Sequence, residues 1–402
     1  MSKPKEKKSL FQNDGFQALL ASLICIVLGM LIGFIVLLFI NPSGAGAAIG
    51  AVIKNFLNYS RASLQIKNFG NTLVKMAPLL MCSLSVLFCY KVGLFNIGVA
   101  GQYVVGACIS IYAALAWGLP WWLCLILAII VGALDGAIVG LLKAYCNVNE
   151  VISGIMLNWI GLYTTNMILT TVKESTSPYT LDLRLYAPKS VLPNIGFSKL
   201  FSGNEYMSIA IPLAIIIAIV IKIILDKTKF GYELKATGFN KNAAKYAGMA
   251  EKQNIIITLA IGGALAACGG AFLYLTDYEL WECTSSSVPG MGFNGIAAAF
   301  LGGLNPVGTI FASYFIQHIT SGGAYVDKSL YSSQISDLIS ALIIYLCGFV
   351  GFMKLAMKKY SAAKAAKSGQ IENVNAEPEP AVSKEEDPPT NSEAKPEEGG
   401  NE

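Results

Sequence analysis

The chain has 402 residues, 54% of them hydrophobic and only 13% charged, with a mean hydropathy of +0.56. That composition lies outside the range of soluble domains and predicts an all-α polytopic membrane protein. The formal net charge of +4 is uneven: residues 361–402 hold ten acids against four lysines, so the rest of the chain carries +10, set between apolar runs where it reports topology and not nucleic-acid binding.

In chain order, the basic stretch 1–16 precedes an uncharged run, 18–40, long enough for a bilayer that needs about 20 residues. Its core is too long for a signal peptide, which predicts a retained first helix with a cytoplasmic N-terminus. Residues 41–70 are moderately apolar, and Lys54, Arg61 and Lys67 recur every six or seven positions, which predicts an amphipathic segment on the outer surface with its cations on one helical face. Further hydrophobic segments cover 71–90, 102–119, 120–142, 151–172, 207–225, 254–276, 291–304, 306–322 and 335–353. With the first helix this makes about ten, so the C-terminus returns to the cytoplasm; Lys354, Lys358 and Lys359 agree. Segments 291–304 and 306–322 are short and fit either full spans or a re-entrant pair. The transmembrane body is thus 17–353, with 173–205 an external loop and 226–253 a cytoplasmic one. Residues 354–402, proline-rich and acidic, are predicted as a disordered cytoplasmic tail.

Nine cysteines without a C-x-x-C pair suggest neither a disulfide framework nor a metal site, and the single His318 cannot build one alone. Polar residues inside the apolar runs carry more information. Residues 93–102, GLFNIGVAGQ, combine three glycines with Asn96 and Gln102. Both an interfacial turn and a broken helix beside a transport path satisfy that content. Residues 289–299, PGMGFNGIAAA, echo it with Phe293 and Asn294, and on this topology the two echoes enter the membrane from opposite faces. An inverted-topology repeat would do this, directing half-helix N-termini at a midplane site. Asn149 and Glu150 suit the start of the helix 151–172, while Ser153 and Asn158 lie deeper, facing a neighbouring helix or a pathway. Asp135 is the most conspicuous acid in an apolar run, placed for a local hydrogen bond or for substrate.

The loop 226–253 carries six lysines against three acids and has internal order. Phe230, Gly231 and Tyr232 lead from the membrane, and Gly238 and Phe239 form a turn. Asn240 caps a short helix, 241–248, that would gather Ala243, Ala244 and Ala247 on one small-residue surface near Tyr246. Such a helix suits docking into a groove of another protein.

The set GLFNIGVAGQ, NEVISGIMLNWI, TKFGYELKATGFNKNAAKYAGM and GFNGIAAAFLGGLNPVGTIFA resembles the integral permease subunit of bacterial ABC importers for nucleosides and simple sugars, in the branch served by binding lipoproteins of the basic membrane protein type. Ala100 stands where that family usually has an acid. The resemblance implies a multi-pass plasma-membrane protein that pairs with a second, related permease, with ABC ATPase subunits and with an external substrate-binding lipoprotein. It implies a substrate pathway near Phe95, Asn96, Gly98, Gln102, Asn158, Phe293 and Asn294. ATPase coupling would run through Gly231, Glu233, Gly238, Asn240, Ala243, Ala244, Tyr246 and Gly248. No cofactor is expected on this chain: it lacks G-x-x-x-x-G-K-[ST], so ATP–Mg would belong to the partner. The alternative is an ion-coupled secondary transporter, which requires intramembrane ionisable residues that are scarce here. No clustered His, Cys or carboxylate pair suggests a membrane enzyme.

Overall fold

The computed structural model describes residues 14–331 and isolated positions between 338 and 359. Most of the segment 335–353 and of the tail lies outside the described residues, as do positions 1–13. Among the described residues the regular structure is fourteen α-helices and four short 3-10 helices, with two isolated β-bridges. Three helices are long and apolar enough to cross a membrane: α3 (Ala62–Lys91), α5 (Trp121–Cys146) and α12 (Glu251–Tyr274). The protein is therefore a multi-pass, all-α membrane protein.

Helix α12 is the centre of the bundle. Gly132, Gly136 and Gly140 recur every four residues along α5 and form one stripe against it; a methyl group on Gly140 would stand 2.7 Å from Ile256 Cα. Small residues let two backbones approach where lipid supplies no hydrophobic drive for helices to pair. The opposite side of α12 meets α3, where a methyl on Gly269 would stand 2.9 Å from the Pro78 carbonyl oxygen. Around this pair stand α4 (Val99–Leu115), α6 (Glu150–Leu169), α9 (Ala210–Lys227), α13 (Gly290–Leu301) and α14 (Pro306–Gly322), with α1 (Asp14–Ile40) and α2 (Ala45–Lys54) packed toward α14. One end of the bundle carries the short helices α7 (Leu183–Tyr186) and α8 (Phe197–Leu200). The other carries α10 (Lys229–Phe239) and α11 (Lys241–Tyr246).

Two expectations change. Residues 41–70 are not one amphipathic segment: α2 stops at Lys54, Asn55 takes φ 45°, and α3 begins at Ala62. Lys54, Arg61 and Lys67 thus fall on α2, on the cap of α3 and on α3, not on one helical face. The break is held by the buried Asn55, whose Nδ2 lies 3.3 Å from Thr72 Oγ1 and 3.2 Å from His318 Nδ1. His318 Nε2 meets the Ile53 carbonyl oxygen at 2.9 Å, so both ring nitrogens serve the same bridge. The interval 226–253 is also less loop than expected, because Phe230, Gly231, Tyr232, Gly238 and Phe239 all lie within α10.

Candidate functional site

After α3 ends at Lys91, Gly93 takes φ 75° and the chain turns back along the helix it has just left. Asn96 therefore lies beside Ser85: its Nδ2 donates to Ser85 Oγ at 2.9 Å and to Gln102 Oε1 at 2.8 Å. A methyl on Gly262, half way along α12, would stand 3.1 Å from Asn96 Nδ2. Helix α4 thus begins at the middle of the bundle and not at its end. Asn158 of α6 secures this start, accepting the Gly101 N–H at 2.7 Å and donating to the Ile97 carbonyl at 3.1 Å. Gly98 fits against Gly154, on which a methyl would stand 2.8 Å from the Gly98 nitrogen.

Helix α13 begins at the same level. A methyl on Gly292 would stand 2.5 Å from Ala100 Cα, and one on Gly295 would stand 2.7 Å from Cys82 Cβ. From there α4 runs to the end where Ser190 Oγ donates to the Leu119 carbonyl, and α13 runs to the end where Phe300 packs edge-on against Tyr90, centroids 5.1 Å apart. Two short helices start side by side and run apart, which puts two positive helix ends together in the middle of the fold. Asn96, Gly98, Gln102 and Asn158 are gathered here as a buried knot whose hydrogen bonds are mainly mutual or to backbone. Phe95 and Asn294 are half-buried, and Phe293 is 40% exposed. Asn149 accepts the Val151 N–H at 2.8 Å as a helix cap, and Glu150 pairs with Lys143 at 2.7 Å.

At the α10–α11 end, Gly231 packs on α9 and Glu233 faces Lys229 one turn away at 3.6 Å. Asn254 of α12 donates to Thr237 Oγ1 at 2.8 Å, and next to it Gly238 abuts Val92 and Gly93. Asn240 caps α11 by accepting the Ala243 N–H at 3.0 Å. The helix ends at Tyr246, and Gly248, at φ 78°, turns the chain toward α12. The expected alanine surface divides: Ala244 is buried, whereas Ala243 and Ala247 face outward. Beside them Phe239 and Tyr246 are 95% and 93% exposed.

The α7–α8 end holds two features with no local signature in the sequence. Asp277, in the left-handed region at φ 60°, accepts the N–H groups of Leu183 and Arg184 at 3.1 and 3.2 Å, while Arg184 pairs with Glu205 at 3.1 Å and lies over the Tyr206 ring. Nearby, a cleft of about 470 Å³ is walled by Tyr179, Tyr274, Trp281 and the carboxylates Glu279 and Glu282.

The chain matches the family described as branched-chain amino acid transport system / permease component over residues 68–348. It is similar to the nucleoside ABC transporter permease protein NupB of Lactococcus lactis subsp. cremoris, 31% identical over 367 residues that cover 89% of this chain and 98% of that one. It is also similar to the guanosine ABC transporter permease protein NupP of Bacillus subtilis, 33% identical over 335 residues, 81% of this chain and 92% of that one. The glucose ABC transporter permease protein TsgB13 of Haloferax volcanii is 28% identical over 290 residues, 69% and 75% of the two chains. No solved structure matches the chain.

Proposed function

Because the chain belongs to the family of branched-chain amino acid transport system permease components, we propose that it is the membrane-spanning subunit of an ABC importer whose cargo is a nucleoside. The observation that carries a translocation role is the common starting level of α4 and α13, half way along α12. Helix ends at that depth require buried protein or an aqueous path around them. The choice of a nucleoside follows the two relatives that resemble the chain over most of its length.

In this reading the chain sits in the bacterial plasma membrane with both termini and the α10–α11 unit in the cytoplasm, and with the α7–α8 end outside. A second, related permease completes the pathway. The echo of FNIG at α4 and FNG at α13, running apart from one level, supports an inverted repeat. Phe293, with Phe95 and Asn294, supplies the pathway lining, while Asn96, Gln102 and Asn158 hold the start of α4 in place. An external binding lipoprotein delivers the nucleoside. ATP–Mg is hydrolysed by partner subunits that seat α11 in a groove, with Phe239 and Tyr246 as its anchors. Closure of the ATPases presses α10 on the turn at Gly93, and that turn leads directly into Asn96 and the start of α4. The midplane thereby changes the side on which it is open.

The test is uptake by cells in which the gene is deleted and restored. Radiolabelled guanosine uptake is expected to fall on deletion and return on restoration, with glucose uptake unaffected; the reverse pattern would assign a sugar.

A further inference from the structure

We propose that the cleft at the α7–α8 end is an entry station for the nucleoside, occupied between its release by the binding protein and its passage to the helix starts; the proposal rests on the nucleoside reading above. Its volume, about 470 Å³, suits a small ligand, and its walls are built in advance. Tyr274, on the last turn of α12, and Trp281 form a buried aromatic floor with ring centroids 5.5 Å apart and planes at 60°. The indole N–H of Trp281 donates to Asn166 Oδ1 at 2.9 Å, and Asn166 Nδ2 donates in turn to the Ser285 carbonyl at 2.7 Å, so α6 fixes the floor and the loop above it. The Thr180 N–H donates to the Trp281 carbonyl at 3.0 Å, and the Cys283 N–H donates to the Pro178 carbonyl at 2.8 Å. These bonds hold Tyr179 at the rim, 41% exposed.

The polar groups fit a base joined to a sugar. Glu279 is met by Lys75 at 2.6 Å. Glu282 stands on the exposed rim, and among the described residues its carboxylate takes one hydrogen bond, from Thr284 to Oε1 at 3.2 Å, so Oε2 is available to accept the vicinal hydroxyls of a ribose. A heteroaromatic base stacks on Tyr179, because every base has a π face. A free sugar has no base to stack, and a nucleotide brings a phosphate against two carboxylates served by one lysine. The cleft also lies on the route inward: Pro289 lines it and immediately precedes α13, whose Gly292 rests on Ala100.

The experiment uses the assembled transporter in nanodiscs without its binding protein and measures binding of radiolabelled guanosine. The wild type is expected to bind guanosine, displaced by unlabelled guanosine but not by ribose or guanosine monophosphate. Tyr179→Ala and Glu282→Gln, both at exposed positions, are each expected to weaken binding about tenfold, the scale of one stacking or charge-assisted contact. Labelling of Tyr179→Cys by a membrane-impermeant maleimide, corrected for wild-type labelling, is expected to slow when guanosine is added. Unchanged affinity in both variants overturns the proposal, as does displacement by ribose or the monophosphate. If the variants lose only stimulation of ATP hydrolysis by the binding protein, the cleft is a protein contact and the proposal fails. Cellular uptake separates the two readings: a wild type that imports nucleoside but binds none here overturns the entry station alone, and one that imports no nucleoside overturns the function as well.

Discussion

Gly93 and Gly238 meet backbone to backbone: a methyl group on Gly93 would stand 2.7 Å from the Gly238 carbonyl oxygen and 3.0 Å from its Cα. Gly238 is in the last turn of α10, and Gly93 begins the return of the chain to Asn96. A side chain on Gly238 would collide with the Val92 carbonyl and push α10 off this turn. Gly238→Ala is therefore expected to leave ATP hydrolysis by the assembled transporter in place while lowering nucleoside uptake at least tenfold. Measuring both on one preparation checks this, and equal loss of the two would place the contact outside the coupling route.

Phe239 and Tyr246 touch almost nothing in the chain, being 95% and 93% exposed. Replacing either by alanine should change permease stability by less than about 0.5 kcal/mol, yet weaken retention of the ATPase. Co-purification of the ATPase with tagged permease gives the readout; full retention in the double variant would remove these side chains from the interface.

Asn158→Ala strips partners from the Gly101 N–H and the Ile97 carbonyl, both inside the bundle. Each buried group left unsatisfied costs about 1–3 kcal/mol, so a marked drop in the melting temperature of the purified protein is expected. Asn294→Ala, at a half-buried position, should melt close to wild type.

The contrast between Asn158 and Asn240 shows what the sequence made legible. Asn240 and Asn149 cap helices within three residues of themselves, and local spacing predicts both. Hydropathy likewise locates most long helices, and the glycine-rich FN echoes mark the two helices that start mid-bundle. Asn158, by contrast, acts on residues 57 and 61 positions away. The cleft joins Tyr179 to Trp281, and Lys75 reaches Glu279. Partnerships at such separation have no period or motif. Helix α10 is hidden in the sequence for a related reason: Gly231 and Gly238 look like breaks, but they are close-packing points against α9 and the Gly93 turn.

Asp277 gives a pH dependence. Burial, followed by a proton shared with Asp182, pushes its carboxyl up to about 6, against opposing hydrogen bonds from the Leu183 and Arg184 N–H groups. The folded state therefore binds more protons than the unfolded chain between the ordinary value of 3.8 and about 6. This contribution to stability is complete below the ordinary value and is lost as pH rises through about 6. Asp277→Asn is expected to reduce the fall in melting temperature between acidic and neutral buffer, and an identical fall in the variant would exclude Asp277 as its source.

The energy source tests the central claim most directly. Proteoliposomes holding the assembled transporter, with ATP–Mg sealed inside and binding protein and radiolabelled guanosine outside, report it in one assay. The expected result is guanosine accumulation that requires internal ATP and persists when proton and sodium gradients are collapsed. Accumulation without ATP that vanishes with those gradients would contradict an ABC permease and turn attention to Asp135, half-buried in α5, as part of an ion-coupled carrier.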